Sequence, residues 1–259
     1  MASAVFSGDG ASAEGTLSRG VFSTTSDAKI GFGATRKTIQ KQVMVYAEEQ
    51  ADGSFTIQAL NDNHVPSGET VTIEREALLT EYLPEPQLWH EKVWPAMRTL
   101  AKHIARGERH REMGEGYSAE FEFKNALAID EANVRATFGL GLTYLDRNDL
   151  TKAREVFNRL ISLPGAFGRE HKHMFNEFGI KLRRCGMLDE ALRFYAIAFK
   201  ISNNDDHLLY NIARTLFDKG DYARCLSYLE HTLKLNPKLE EAQQLLRAAA
   251  QKIAQSVGG

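Results

Sequence analysis

Only two of the 259 residues are cysteine, Cys185 and Cys225, too few for a disulfide framework. A cytoplasmic location is expected on that ground. No stretch approaches the roughly 18 consecutive apolar residues that a bilayer span needs, so membrane insertion is not expected. The opening residues, Met1 to Gly8, lack the basic start and apolar centre of a secretory signal. Gly31–Phe32–Gly33 is too short to cradle phosphate. No nucleophile elbow and no Ser–His–acid set stands at a recognisable spacing. His173 and Glu177 lie one helical turn apart, but nothing beside them supplies a third metal ligand. These absences predict no catalytic residue, no metal and no cofactor, and so a chain that is not an enzyme.

Charge excludes a further class. The net charge is −2. Met1–Ala96 carries 7 Lys and Arg against 13 Asp and Glu, or −6, and Met97–Gly259 carries 25 against 21, or +4. That asymmetry suits contact between the two parts or an acidic partner. It is far from the clustered basic surface that nucleic acid requires. The run Arg106–Glu112 alternates in sign and reads as a solvated helix face.

What the chain does have is a degenerate repeat over its C-terminal two-thirds. The last copy contains Leu209, Ala213 and Leu216, then Gly220, Cys225 and Leu229, and closes on Asn236–Pro237. The copy before it contains Phe175, Gly179 and Leu182, then Gly186, Ala191, Tyr195 and Ala198. An earlier one contains Phe138, Gly141 and Tyr144, then Ala153 and Phe157. The small residues opening each second helix, Ala119, Ala153, Ala191 and Cys225, are spaced 34, 38 and 34 apart. Each copy predicts two antiparallel helices that cannot bury their apolar faces alone, so neighbours must stack. The copies run Leu100–Asn133, Val134–Phe167, Lys172–Asp205 and Asp206–Leu239. Gly141 and Gly179 are expected at close helix crossings, and Gly186 and Gly220 just past a first helix. The extra residues Pro164–Gly168 predict a loop, either a tolerated insertion or a ligand contact. A helix follows Leu239, with Ala242, Leu246, Ala249 and Ile253 on one side, and is expected to cap the array or to self-associate.

With this pattern, residues from about 100 to 253 resemble the tetratricopeptide repeat family. The resemblance implies a mostly α fold, a right-handed superhelix of about four helix pairs with a capping helix. Its first helices would line a concave groove that holds a peptide or helix of a partner protein. Helical geometry then places Arg135, Phe138, Leu142, His173, Asn176, Ile180, Arg183, His207, Tyr210, Arg214 and Phe217 on that groove. An apolar floor with a cationic rim is expected. Family members that clamp a carboxylate use a set of Lys, Arg and Asn side chains. Asn211 and Arg214 match two positions, but Ile104 and Glu108 stand where the first copy would need Lys and Asn, so that clamp is not the leading reading.

The front third reads as residues 1–28, a flexible tail rich in Ser, Gly and Ala, then residues 29–86, a small β-rich module, with the array over 87–259. Val5–Phe6–Ser7 recurs as Val21–Phe22–Ser23, a chance repeat or a docking peptide. Strands are predicted at Gln42–Ala47, Ser54–Leu60 and Thr70–Ile73, with turns at Glu49–Gly53 and Val65–Gly68. A short helix follows over Arg75–Leu83. Trp89, Val93 and Trp94 are expected to seat the module on a long helix from about Pro95 to Glu115, whose apolar side carries Met97, Leu100, Ile104 and Met113. The functional expectation is an adaptor or scaffold, bacterial in style. The alternatives are a chaperone for a secreted or assembling subunit, a self-associating structural unit and hence a homo-oligomer, or a subunit whose partner carries the catalysis.

Overall fold

Alternation of apolar and polar residues in the front third builds a five-stranded antiparallel sheet in the order β4-β3-β2-β1-β5. This computed structural model describes residues 18–30, 37–163, 171–201 and 204–257. The strands are β1 (Arg19–Ile30), β2 (Lys37–Glu49), β3 (Phe55–Leu60), β4 (Pro66–Ile73) and β5 (Leu83–Pro84). The helices are α1 (Arg75–Glu81), the single turn α2 (Pro86–Leu88), α3 (Trp94–Glu112), α4 (Gly116–Ile129), α5 (Val134–Asp146), α6 (Leu150–Ser162), α7 (Lys172–Arg184), α8 (Leu188–Ile201), α9 (Asp206–Lys219), α10 (Tyr222–Leu235) and α11 (Glu240–Val257). A π-helical turn, Trp89–Val93, joins α2 to α3. The chain falls into two compact units. One takes in the chain to Arg106 with Glu122–Asn133, and the other takes in Gly107–Phe121 with Val134–Gly259.

In the first unit Phe22, Val45, Ala47, Phe55, Ile57 and Leu78 form one core cluster, which joins the sheet to α1. Tyr46 also lies buried, and Trp89 stacks on it at 5.8 Å between ring centroids. Trp94 packs on Trp89 and takes the Arg19 guanidinium over its ring at 5.0 Å. Val93 is fully buried. The expected seam of Trp89, Val93 and Trp94 is thus present.

Two details of this unit differ from the expectation, and a third, at Met113, lies in the second unit. Residues 19–28, read as tail, belong to β1, which pairs with β2 from Arg19↔Glu48 to Ile30↔Lys37. Val21, Phe22 and Ser23 are buried there. The ladder satisfies the backbone of a segment whose Ser and Thr content had suggested none. The second turn lies at Asn61–Val65 rather than Val65–Gly68: the Asn61 side chain accepts from the backbone N–H of Asn63 and Val65. An Asx turn of this kind holds the reversal locally. Met113, expected on the apolar side of α3, is 61% exposed, because α3 ends at Glu112 and the chain turns away. Val5–Phe6–Ser7, Gly31–Gly33 and Pro164–Gly168 lie outside the described residues.

The same turn caps α4. Asn61 Nδ2 donates to the Ile129 carbonyl at 2.9 Å, and Asn63 Nδ2 donates to the Ala128 and Ile129 carbonyls at 3.1 and 2.9 Å. Ser67 Oγ donates to Asp130 at 2.7 Å. The last carbonyls of a helix have no partner of their own, and here side chains some 65 residues distant in sequence supply it.

In the second unit the repeats pair as the spacing predicts. Ala119, Ala153, Ala191 and Cys225 are all fully buried, as are Phe157, Tyr195, Leu216 and Leu229. Asp149 and Asp221 accept from backbone N–H groups in the first turns of α6 and α10, which explains where these second helices start. Gly220 ends α9 in the left-handed region at φ 83°. A Cβ on Gly141 would lie 2.6 Å from the Phe178 ring, so the close crossing needs glycine.

Burial pushes the Tyr46 and Tyr144 hydroxyls up to about 12. The unfolded chain would ionise them near their ordinary value of about 10. Between pH 10 and 12 the folded state therefore holds more protons, and stability falls as pH rises through that window. Urea titrations at pH 9, 10 and 11 should show the midpoint dropping together with the onset of tyrosinate absorbance. A midpoint unchanged to pH 11.5 would refute the assignment.

Candidate functional site

The first helices α5, α7 and α9 pack side by side, α5 on α7 and α7 on α9. They differ sharply in what they leave free. Ten consecutive residues of α5, Ala136–Leu145, are buried. A helix that is apolar on all sides is held within a core. Phe138 is fully buried, with Phe175, Phe178 and Phe194 at centroid distances of 5.5, 5.7 and 6.0 Å. Leu142 is buried as well. These two expected groove residues are core residues instead. The phenylalanines that cover Phe138 come from the next copy, and no periodicity within one copy shows them. Arg135, at the start of α5, is exposed and is locked to Glu108 by two bonds of 2.6 and 2.8 Å.

On α7 and α9 the expected positions keep surface. Asn176, Ile180, Tyr210 and Phe217 are half-buried, and His207 and Arg214 are exposed. The side chain of His173 lies outside the described residues. Tyr210 and Arg214 meet one turn apart, with Arg214 Nη1 donating to the Tyr210 hydroxyl at 3.2 Å. Phe217 stands edge-on to Tyr222 at 5.3 Å.

The cationic rim is largely neutralised within the array. Arg183 pairs with Asp218 at 2.5 Å. Asp146 bridges Arg111 at 3.3 Å and Lys181 at 2.5 Å, and Arg111 also pairs with Glu177 at 3.0 Å. Most of these partners stand one repeat length apart (35 residues for Arg111–Asp146, Asp146–Lys181 and Arg183–Asp218), so each pair ties one first helix to the next. Sequence reasoning missed this ladder, although the recurrence of opposite charges at the repeat spacing marks it. Among the described residues Arg214 makes no ion pair, which leaves it as the cation of this strip that is not internally neutralised.

The tetratricopeptide repeat model matches residues 134–166 and 206–239, the pairs α5–α6 and α9–α10. These two helix pairs are tetratricopeptide repeats. The crystal structure of MamA protein is similar to this chain at a TM-score of 0.50 and 18% identity, over 60% of this chain and 83% of that one. PilF of Pseudomonas aeruginosa overlaps at 0.48 and 16% identity, over 63% and 72%. YrrB, described as a tetratricopeptide protein with an unusual peptide-binding site, overlaps at 0.44 and 19%, over 57% and 74%. At these identities the likeness extends to the fold alone. No curated protein sequence matches the chain. Among the described residues no helix is long and apolar enough to cross a membrane.

Proposed function

We propose that the tetratricopeptide array is a protein-interaction scaffold, a binding rather than a catalytic module, which holds a segment of a partner protein along α7 and α9. The observation that carries this reading is the strip of Asn176, Ile180, Tyr210, Arg214 and Phe217. Aromatic and arginine side chains remain partly open there, while the other groove cations are consumed in internal pairs. Tyr, Phe and Arg concentrate binding energy because they cover large areas with few rotors and can engage charge at their tips. The segment bound would be apolar, with a carboxylate placed to meet Arg214. The proposed site is narrower than eleven residues across three helices, since Phe138 and Leu142 of α5 are core.

The test is affinity capture from native lysate, read by mass spectrometry, with the full chain and with Tyr210→Ala/Arg214→Glu. Both side chains are outside the core, so circular dichroism should be unchanged. The expected result is at least a tenfold loss of one partner, equivalent to about 1.4 kcal/mol or more. A partner set identical for both proteins would refute the groove assignment.

A further inference from the structure

The first unit carries two cations that its own acids leave free. Arg98 and Lys102 stand one turn apart on α3, both exposed, and neither makes an ion pair among the described residues. Arg106, one turn further on, instead faces Glu122 at 3.8 Å. Beside the two cations lies an open depression of about 580 Å³, lined by Pro95, Arg98, Thr99, Ala101 and Lys102. The Thr99 hydroxyl donates back to the Pro95 carbonyl at 2.9 Å, so Pro95, Thr99 and Ala101 leave the depression little to hydrogen-bond with. The surface is an apolar hollow with two unpaired positive charges at its edge.

The chain enters the fold beside this hollow. The Arg19 guanidinium lies over the ring of Trp94, the residue before Pro95, at 5.0 Å. Ser18 is anchored in turn: its amide donates to the Glu49 carboxylate at 3.0 Å, and its carbonyl accepts from the Glu49 N–H at 2.8 Å. Residues 1–17, outside the described part, contain Asp9 and Glu14 and no Lys or Arg. They also carry the apolar pair Val5–Phe6. Their reach is sufficient. Glu14 stands four residues before Ser18, about 13 Å of extended chain at roughly 3.3 Å per residue. Lys102 stands eight residues beyond Trp94, about 12 Å along a helix. Val5 has about 43 Å of chain on the same scale, enough to return to the depression.

We infer that residues 1–17 dock back on α3 as an internal strap, with Phe6 in the depression and Asp9 and Glu14 on Arg98 and Lys102. Segment and surface match in charge, two acids against two unpaired bases. They match in polarity as well, since an aromatic side chain gains most where it leaves water for an apolar hollow. The same tripeptide, Val-Phe-Ser, recurs at Val21–Ser23 and is buried there in β1, so this unit already encloses those three side chains once. The tether makes a weak contact sufficient, because a short linker holds its end at an effective concentration in the millimolar range. The docked strap closes the free cations of α3, so acidic partner segments are not drawn to this face. This contact shares no residue with the strip on α7 and α9 and does not rest on the groove reading.

Thiol trapping in the full chain tests this. Ser7→Cys/Ala101→Cys should form an intramolecular disulfide under mild oxidant at low protein concentration, located by peptide mapping with mass spectrometry. It should form at least tenfold faster than in Ser7→Cys/Thr80→Cys, whose second position is exposed on α1. Adding Arg98→Glu/Lys102→Glu should slow the link at least tenfold with circular dichroism unchanged. Adding Asp9→Lys/Glu14→Lys to that variant should restore it, because the opposite charges are then exchanged rather than lost. Equal rates at the two acceptor positions overturn the inference, as does a rate that charge reversal leaves unaltered. A link between two chains in place of one within a chain also overturns it, and would assign the surface to a second copy.

Discussion

Phe194→Ala is expected to destabilise the protein by about 4 kcal/mol, the largest loss for any single truncation in the array. Phe194 is fully buried on α8. Its ring meets Phe178 at 5.3 Å, Phe175 at 5.7 Å, Phe138 at 6.0 Å and Phe157 at 6.2 Å between centroids. Those rings come from α5, α6 and α7, so one side chain joins two successive helix pairs. Truncation removes apolar area and leaves a cavity among rigid aromatic neighbours that cannot collapse into it. Aromatic pairs add a directional contribution on top of burial. The pairs of a repeat array hold one another only through their shared faces. Losing this contact should therefore broaden the transition as well as lower its midpoint. Urea unfolding followed by circular dichroism measures both. A loss below about 1.5 kcal/mol would show that the aromatic cluster is not the centre of the array's stability.

Gly179→Ala should cost about 3 kcal/mol, against the usual direction for such a change. In an open helix, alanine in place of glycine stabilises by about 1 kcal/mol. Here the new Cβ would fall 2.3 Å from Tyr195 Cε1, 2.4 Å from Cζ and 2.5 Å from Oη. Those atoms belong to a fully buried, rigid aromatic side chain, not to the far end of a flexible one. Tyr195 is fully buried, so either its ring or the helices α7 and α8 must shift, and overpacking of this kind costs about 1–3 kcal/mol. Clash outweighs propensity. The companion double variant Gly179→Ala/Tyr195→Leu should recover part of the loss, because it removes the atoms that the methyl meets. Strict additivity of the two changes in a double-mutant cycle would refute the packing argument.

These two residues also show how much was legible in advance. Gly179 and Tyr195 recur at fixed places in the repeat, and periodicity alone assigned them to the crossing between helices. The same reasoning located the helix pairs and the caps at Gly186 and Gly220, while the clustering of both tryptophans at one junction marked the seam of Trp89, Val93 and Trp94. Phe138 marks where it stopped. Its helical position matched Asn176 and Tyr210, yet it is buried where they are not. The difference lies in Phe175, Phe178 and Phe194 of the following copy, which close over it. Strand β1 was hidden for a similar reason: a Ser- and Thr-rich segment becomes a strand when a partner offers it a ladder of hydrogen bonds.

The sequence by itself determined the number and pairing of the helices, the small residues at their crossings and the strand alternation around the Asp52–Gly53 turn. All of these rest on local periodicity and backbone preference, which neighbouring residues specify. Only the tertiary structure decided which apolar residues became core and which cations stayed free. It closed α5 over Ala136–Leu145, neutralised Arg183 with Asp218, left Arg214 without an ion pair among the described residues, and turned Met113, Tyr117 and Phe121 outward. Burial and pairing are properties of partners brought together across a repeat length or more. No window along a single chain contains them.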